Sequence, residues 1–252
     1  MEEETKDIIL ALDVSTACIG ICLLLNDGSE YGKIVELTHI IPKTSKKKVH
    51  GIEELFLKKK HFETYIQRFK NVKITKVIIE EPLLSSNNKN TVATLLRFNG
   101  MISECIYETF GVIPDYISSY DARKYSFPEL LAVRKYGKDE ILYEPKKILK
   151  SIRDSRLVLF GSYPWTIDKK SILQEKVANI FPQIHWLFNK KGELKKENFD
   201  ASDAYIACLG YINKERKGEL KPIVSNIHQE GDKIDYDVSY WETTEHRTTY
   251  LK

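Results

Sequence analysis

Four acidic residues stand at the ends of apolar runs. Asp13 closes Ile8-Ile9-Leu10-Ala11-Leu12, Glu80 follows Val77-Ile78-Ile79, and Asp200 and Asp203 open the run from Ala204 to Leu209. A carboxylate in apolar surroundings is costly unless it is paired, hydrogen-bonded or metal-bound. Asp200 and Asp203 are three residues apart, so on a helix they share one face. If the chain brings all four together, like-charge repulsion demands cations between them. Hard oxygen donors select Mg²⁺ or Mn²⁺. Two such ions roughly 4 Å apart activate a water and stabilise the leaving oxygen of a phosphodiester. Each carboxylate also has a plainer use. Asp13 can accept backbone N–H groups in its turn, and Asp200 can be an N-cap with Asp203 complementing the helix dipole. Glu80 can be the exposed member of a Glu80-Glu81 pair, or Glu81 can take its role.

The elements that must position these groups follow from the pattern around them. Ile8 to Asp13 reads as a strand buried on both faces, turned by Val14-Ser15-Thr16-Ala17 into a second strand, Ile19 to Leu25. Asn26-Asp27-Gly28-Ser29 is a tight-turn signal leading to a third strand over roughly 31–41. Leu55, Phe62, Ile66 and Phe69 mark a helix ending near Asn71; Lys76 to Glu81 is a fourth strand, stopped by Pro82. Thr91 to Phe110 carries apolar residues near helical spacing and is capped by Gly111, with a short strand at Ile113 to Ser118. Lys170 to Phe181 and Asp200 to Leu209 read as further helices. Strands and helices in this order imply an α/β fold on a mixed sheet. No internal repeat or linker appears. We therefore expect one domain over 1–213, with an insertion of one or two helices at 125–168 and a C-terminal extension, 214–252, packed on it. Tyr236 to Tyr240 and Thr248 to Leu251 read as edge strands there.

The three segments Leu12-Asp13-Val14-Ser15-Thr16-Ala17-Cys18-Ile19-Gly20, Ile78-Ile79-Glu80-Glu81-Pro82 and Asp200-Ala201-Ser202-Asp203-Ala204 resemble RuvC-type Holliday junction resolvases of the RNase H-like superfamily. The D-A-x-D-A helix start is the most specific of them. The resemblance covers about 1–124 and 169–212. It implies an RNase H-like fold with a mixed five-stranded sheet, metal ligands at Asp13, Glu80, Asp200 and Asp203, and two Mg²⁺ or Mn²⁺ ions per site. It further implies a homodimer that cuts four-way DNA junctions symmetrically in recombination and repair. Arg123-Lys124 and Lys169-Lys170 fall where the family commonly has lysines; Lys170 is assigned to catalysis and Arg123, Lys124 and Lys169 to DNA contact. The chain departs from the family in the 125–168 segment, in the tail, and at Leu83, where bacterial members often carry an aromatic. A divergent lineage, viral or organellar, is the expectation.

Composition is compatible with this reading. The chain has 252 residues, 42% hydrophobic and 30% charged, with 39 Lys+Arg against 36 Asp+Glu. A total of +3 does not by itself announce a polyanionic partner, but phosphate binding depends on local charge. Lysines cluster at Lys46, Lys47, Lys48, Lys58, Lys59 and Lys60, which we assign to DNA contact, and again at Lys146 to Arg156 and Lys190 to Lys196. Tyr120, Tyr125, Phe127, Tyr163 and Trp165 serve either base stacking or core packing. Cys18, Cys22, Cys105 and Cys208 form no CxxC pair, and three lie in apolar runs, so they read as reduced core thiols. The acidic start Met1-Glu2-Glu3-Glu4 and the lack of a span-length apolar run predict an intracellular protein in a reducing compartment, neither secreted nor membrane-bound. Competing readings are an actin-like kinase or ATPase, whose glycine-rich phosphate loops are missing here, a non-catalytic DNA-binding module, and an RNase H-like nuclease for other substrates.

Overall fold

The computed structural model describes residues 7–43, 50–82, 88–134, 156–159, 169–195, 198–221, 223–231 and 233–250. The chain forms two compact units. One comprises Met1–Ala122 and Lys170–Tyr211; the other comprises Arg123–Lys169 and Ile212–Lys252.

The first unit is built on five strands: β1 (Asp7–Val14), β2 (Ile19–Asn26), β3 (Lys33–Ile40), β4 (Ile74–Glu80) and β5 (Asp115–Ile117). They lie in the order β3-β2-β1-β4-β5. β2 runs antiparallel to both β1 and β3, while β4 is parallel to β1 and β5. This mixed five-stranded sheet flanked by helices is an RNase H-like fold. The central strands are rich in Ile, Leu and Val because each is covered on both faces.

On one face Leu10, Leu12, Ile19, Ile21, Val77 and Ile79 pack with Phe62 and Ile66 of α1 (Ile52–Ile66) and with Phe98, Ile102 and Ile106 of α2 (Lys89–Phe110). Each such side chain contributes about 1.5–3 kcal/mol through burial. Asn88 caps α2 by accepting from the backbone N–H groups of Asn90 and Thr91, and Gly111 ends it at φ 69. That left-handed conformation explains the glycine. The helix α3 (Ser119–Ser126) follows β5; α4 (Lys169–Ile180) and α5 (Phe199–Lys217) come later in the chain. Residues 201 to 210 of α5 are all buried. The helix therefore shows no solvent-exposed face over this stretch, even at Ser202 and Asp203.

The described part of 125–168 differs from the expected one or two helices. After a 3₁₀ turn at Pro128–Leu130 it holds two antiparallel strands, β6 (Leu131–Arg134) and β7 (Arg156–Leu159). Each is four residues long with three apolar positions, too short to set a period. The tail forms a three-stranded antiparallel sheet of β8 (Ile223–Glu230), β9 (Lys233–Tyr240) and β10 (Thr243–Tyr250). In β9 the alternate residues Tyr236, Val238 and Tyr240 are buried. Among the described residues, no helix is long and apolar enough to cross a membrane.

Candidate active site

β1 and β4 are neighbouring parallel strands in which Leu12 pairs with Ile79. The next residues, Asp13 and Glu80, therefore stand side by side at the strand ends. Side chains alternate along a strand; Leu12 and Ile79 point into the α1–α2 core, so Asp13 and Glu80 project from the opposite face. Both are half-buried, whereas Glu81 is exposed and donates its backbone N–H to the Ile117 carbonyl at 2.8 Å.

The start of α5 is seated on that same face. Asp13 pairs across the sheet with Gly20 of β2, and a Cβ at Gly20 would lie 1.8 Å from the carbonyl oxygen of Asp200. Only glycine lets the helix approach this closely. Farther along, burial first and then the neighbouring Cys208 thiol of α5 push the Cys22 thiol well above its ordinary range. Tyr205 packs its ring edge-on against Phe181 at 5.0 Å and donates its hydroxyl to the Tyr31 carbonyl at 3.1 Å. These contacts fix where the first turn of α5 lies.

The carboxylates of that turn have different surroundings. Asp200 is half-buried and lies near enough to the Cys18 thiol to oppose its ionisation. Burial first, then Asp200 and the charge of Asp13, push this thiol upward from its ordinary value. Asp203 is only 3% exposed, and its Oδ2 receives the Lys170 ammonium at 2.8 Å. Lys170 is itself half exposed and also lies 5.9 Å from the Phe199 ring centroid.

The fold thus brings Asp13 beside Glu80, the start of α5 against Gly20, and Asp203 onto Lys170. Among the described residues, no group of three or more His, Cys, Asp or Glu side chains is gathered closely enough to hold one ion. The donor chemistry nevertheless suits a hard divalent cation: oxygen donors come from three elements on one side of the sheet, and the most buried of them, Asp203, already holds a positive charge.

The basic residues are dispersed. Lys58 pairs with Glu54 at 2.6 Å, and Lys59 reaches Glu104 and Glu108 at 3.7 and 3.6 Å. Lys60 is exposed on α1. Arg123 and Lys124 lie on α3, with the Lys124 ammonium 5.1 Å from the Tyr125 ring centroid. Lys169 opens α4. Lys190 and Lys191 are exposed and Lys195 half-buried. Lys46, Lys47, Lys48, Leu83, Lys146, Lys147, Lys150, Arg153, Tyr163, Trp165 and Lys196 lie outside the described residues. Tyr125 and Phe127 are buried, consistent with packing, while Tyr120 is 49% exposed. Cys22, Cys105 and Cys208 are buried core thiols. Gly20 is the residue that sequence reasoning missed: nothing in its strand announces that the backbone of Asp200 lies against it.

No family model and no curated protein matches the sequence. Among solved structures, Thermus thermophilus RuvC in complex with a Holliday junction substrate is 9% identical, with 84% of this chain and 96% of that chain covered at a TM-score of 0.49. A second Thermus thermophilus RuvC structure is 14% identical, covering 86% and 99% at 0.47. The yeast mitochondrial Holliday junction resolvase Ydc2 is 10% identical, covering 82% and 78% at 0.47. The first two are RuvC structures, the type that the three sequence segments resemble. At such identities and scores they add no weight to the fold read from the strand order.

Proposed function

We propose that this chain is a metal-dependent endonuclease that resolves four-way DNA junctions by hydrolysing one phosphodiester in each of two opposed strands. The observation that supports this best is the placement of Asp13 and Glu80 on adjacent strand ends, on the face where Gly20 seats the first turn of α5. Asp13, Glu80, Asp200 and Asp203 would hold Mg²⁺ or Mn²⁺, two ions per site. When bound, such ions supply an activated water and stabilise the leaving oxygen. The chain's own residues set the stage. The strand ends fix two carboxylates rigidly, α5 supplies two more, and Lys170 keeps a positive charge at the edge of the site. A phosphate entering there meets that ammonium. Arg123, Lys124, Lys169 and the lysines at 46–48 and 58–60 provide the backbone contacts.

The substrate class rests on the sequence resemblance. Paired cuts require two sites, and a homodimer with twofold symmetry supplies them. The test is incubation with a synthetic four-way junction and Mg²⁺ or Mn²⁺. Paired, symmetric nicks are expected. Equal cleavage of linear duplex or an RNA/DNA hybrid would move the assignment to another nuclease of this fold. Tight junction binding without metal-dependent cleavage would make the chain a non-catalytic module.

A further inference from the structure

We infer that the groove beside Lys170, between α4 and a hairpin at 187–195, holds one unpaired nucleobase of the strand being cut, stacked on Phe188. The inference rests on the nuclease reading above and adds a base site to its acidic and basic residues.

The groove has a volume of about 910 Å³, the size of an ordinary small-molecule site. Its lining includes Ser171 and Glu175 of α4, Phe188, Glu193 and Lys195 of the hairpin, and Phe199 at the start of α5. The Phe199 ring centroid lies 5.9 Å from the Lys170 ammonium, which in turn meets Asp203 at 2.8 Å. A phosphate drawn to Lys170 therefore leaves its neighbouring base within reach of the groove.

The hairpin that carries Phe188 is fastened in place. Phe188 bridges to Leu194, and the Asn189 N–H donates to the Glu193 carbonyl at 2.8 Å. Two buried side-chain amides tie the base of the hairpin down. Asn198 accepts from the Leu187 N–H at 3.1 Å and donates to the Leu187 and Lys195 carbonyls at 2.9 and 3.0 Å. Gln174 of α4 donates to the same Lys195 carbonyl at 2.9 Å. On this frame Phe188 stays 54% exposed. A single exposed phenyl is ordinary on a protein surface. One held on a tied hairpin, in a groove beside the proposed reaction site, is a stacking platform, because every base offers a π-face.

The lining also selects the occupant's chemistry. Two carboxylates, Glu175 and Glu193, outnumber the one ammonium of Lys195, so the groove repels a phosphate. Carboxylates do accept hydrogen bonds from the exocyclic amino group of a base such as cytosine. Asn189 Nδ2 takes up one Glu193 oxygen at 2.8 Å, while Glu175 is exposed to an incoming donor. A planar, neutral, amino-bearing ring fits all of these groups.

The test is fluorescence anisotropy of the full chain in Ca²⁺ with two labelled single strands of equal length, one of deoxycytidine and one of abasic sugar phosphates. The two carry the same backbone charge, so the difference between them reads the bases alone. Wild type should bind the cytosine strand about 10-fold more tightly, within what stacking of one base supplies. Phe188→Ala should lose that preference while binding the abasic strand as wild type does. Phe188→Tyr, which keeps a stacking face, should retain it, and thermal unfolding confirms that both variants are folded. No binding of either strand, equal affinity of wild type for the two, or a preference that Phe188→Ala leaves intact overturns the base site. Wild type that shows the Phe188-dependent preference yet cuts no junction refutes the nuclease reading and leaves the base site standing. Junction cleavage without that preference does the reverse.

Discussion

Replacing Gly20 by alanine tests the seating of α5 on the sheet. The added Cβ would lie 1.8 Å from the Asp200 carbonyl oxygen, 2.3 Å from its carbon and 3.0 Å from the Ala201 nitrogen. These are backbone atoms, so no rotamer change relieves the clash. Restoring ordinary contact requires α5 to retreat by about 1.5 Å at its first turn, and overpacking of this kind costs about 1–3 kcal/mol. At about 2–4 °C per kcal/mol for a chain of this size, the unfolding midpoint should fall by several degrees. The functional cost should be larger. A displacement of about 1 Å at reacting groups is worth roughly 100-fold in rate, and here it moves Asp200 away from Asp13. The assay is single-turnover cleavage of a four-way junction at saturating protein, beside thermal unfolding of the same preparation. Gly210→Ala is the control. Its Cβ would meet the Ala122 carbonyl oxygen at 2.4 Å, but ten residues of helix place it about 15 Å from Asp200. It should lose stability similarly while keeping most of its cleavage rate. If Gly20→Ala cuts within threefold of wild type, or if the two variants lose cleavage equally, the argument that Gly20 seats the site is wrong.

Other outcomes follow from the same structure. Asp13→Asn or Glu80→Gln should abolish cutting while leaving junction affinity within a few-fold, measured by gel shift in Ca²⁺; full activity in either variant removes that residue from the site. Lys170→Gln leaves the buried Asp203 carboxylate without its ammonium, a loss of about 1–3 kcal/mol visible in urea unfolding. Added Mn²⁺ should restore more stability to this variant than to wild type, and an unchanged urea midpoint would deny the pair a structural role. Burial raises the Cys105 thiol from an ordinary 9.0 to about 11. The unfolded thiol ionises first, so the stabilisation is complete below pH 9 and is lost as pH rises to about 11. The unfolding midpoint should decline across that window, less steeply in Cys105→Ala; identical slopes would contradict the assignment.

Much of the first unit was legible in the sequence because local signals agreed with one another. Asn26 to Ser29 turned β2 toward β3, Pro82 followed β4, and Gly111 ended α2 in the conformation that favours glycine. The carboxylates stood out because charge at the end of an apolar run is costly. The second unit was harder. β6 and β7 are four residues each, and β8 shifts register between Ser225 and His228, with Asn226 at φ 51. That irregularity breaks the alternation on which strand reading depends. β10, with its four threonines, carries little apolar signal. The close approach of Gly20 to the Asp200 backbone joins residues far apart in sequence. No local pattern announces such a contact. Similarly, the Lys58–Lys60 run did not reveal that two of its lysines would be engaged by Glu54, Glu104 and Glu108.

The first unit takes its sheet and two of its carboxylates from Met1–Ala122 and the other two from Lys170–Tyr211. During synthesis Asp13 and Glu80 leave the ribosome long before Asp200. At about 5–20 residues per second, Asp200 follows Glu80 by roughly 6–24 s. Through that interval the nascent sheet has strand-end acids but no α5 to complete them, so under the proposed function a chain emerging near nucleic acid would not yet cut it. Truncation upstream of α5 would likewise leave an incomplete acidic set. The order of the segments thus delays any hydrolytic competence until nearly the whole first unit has been made.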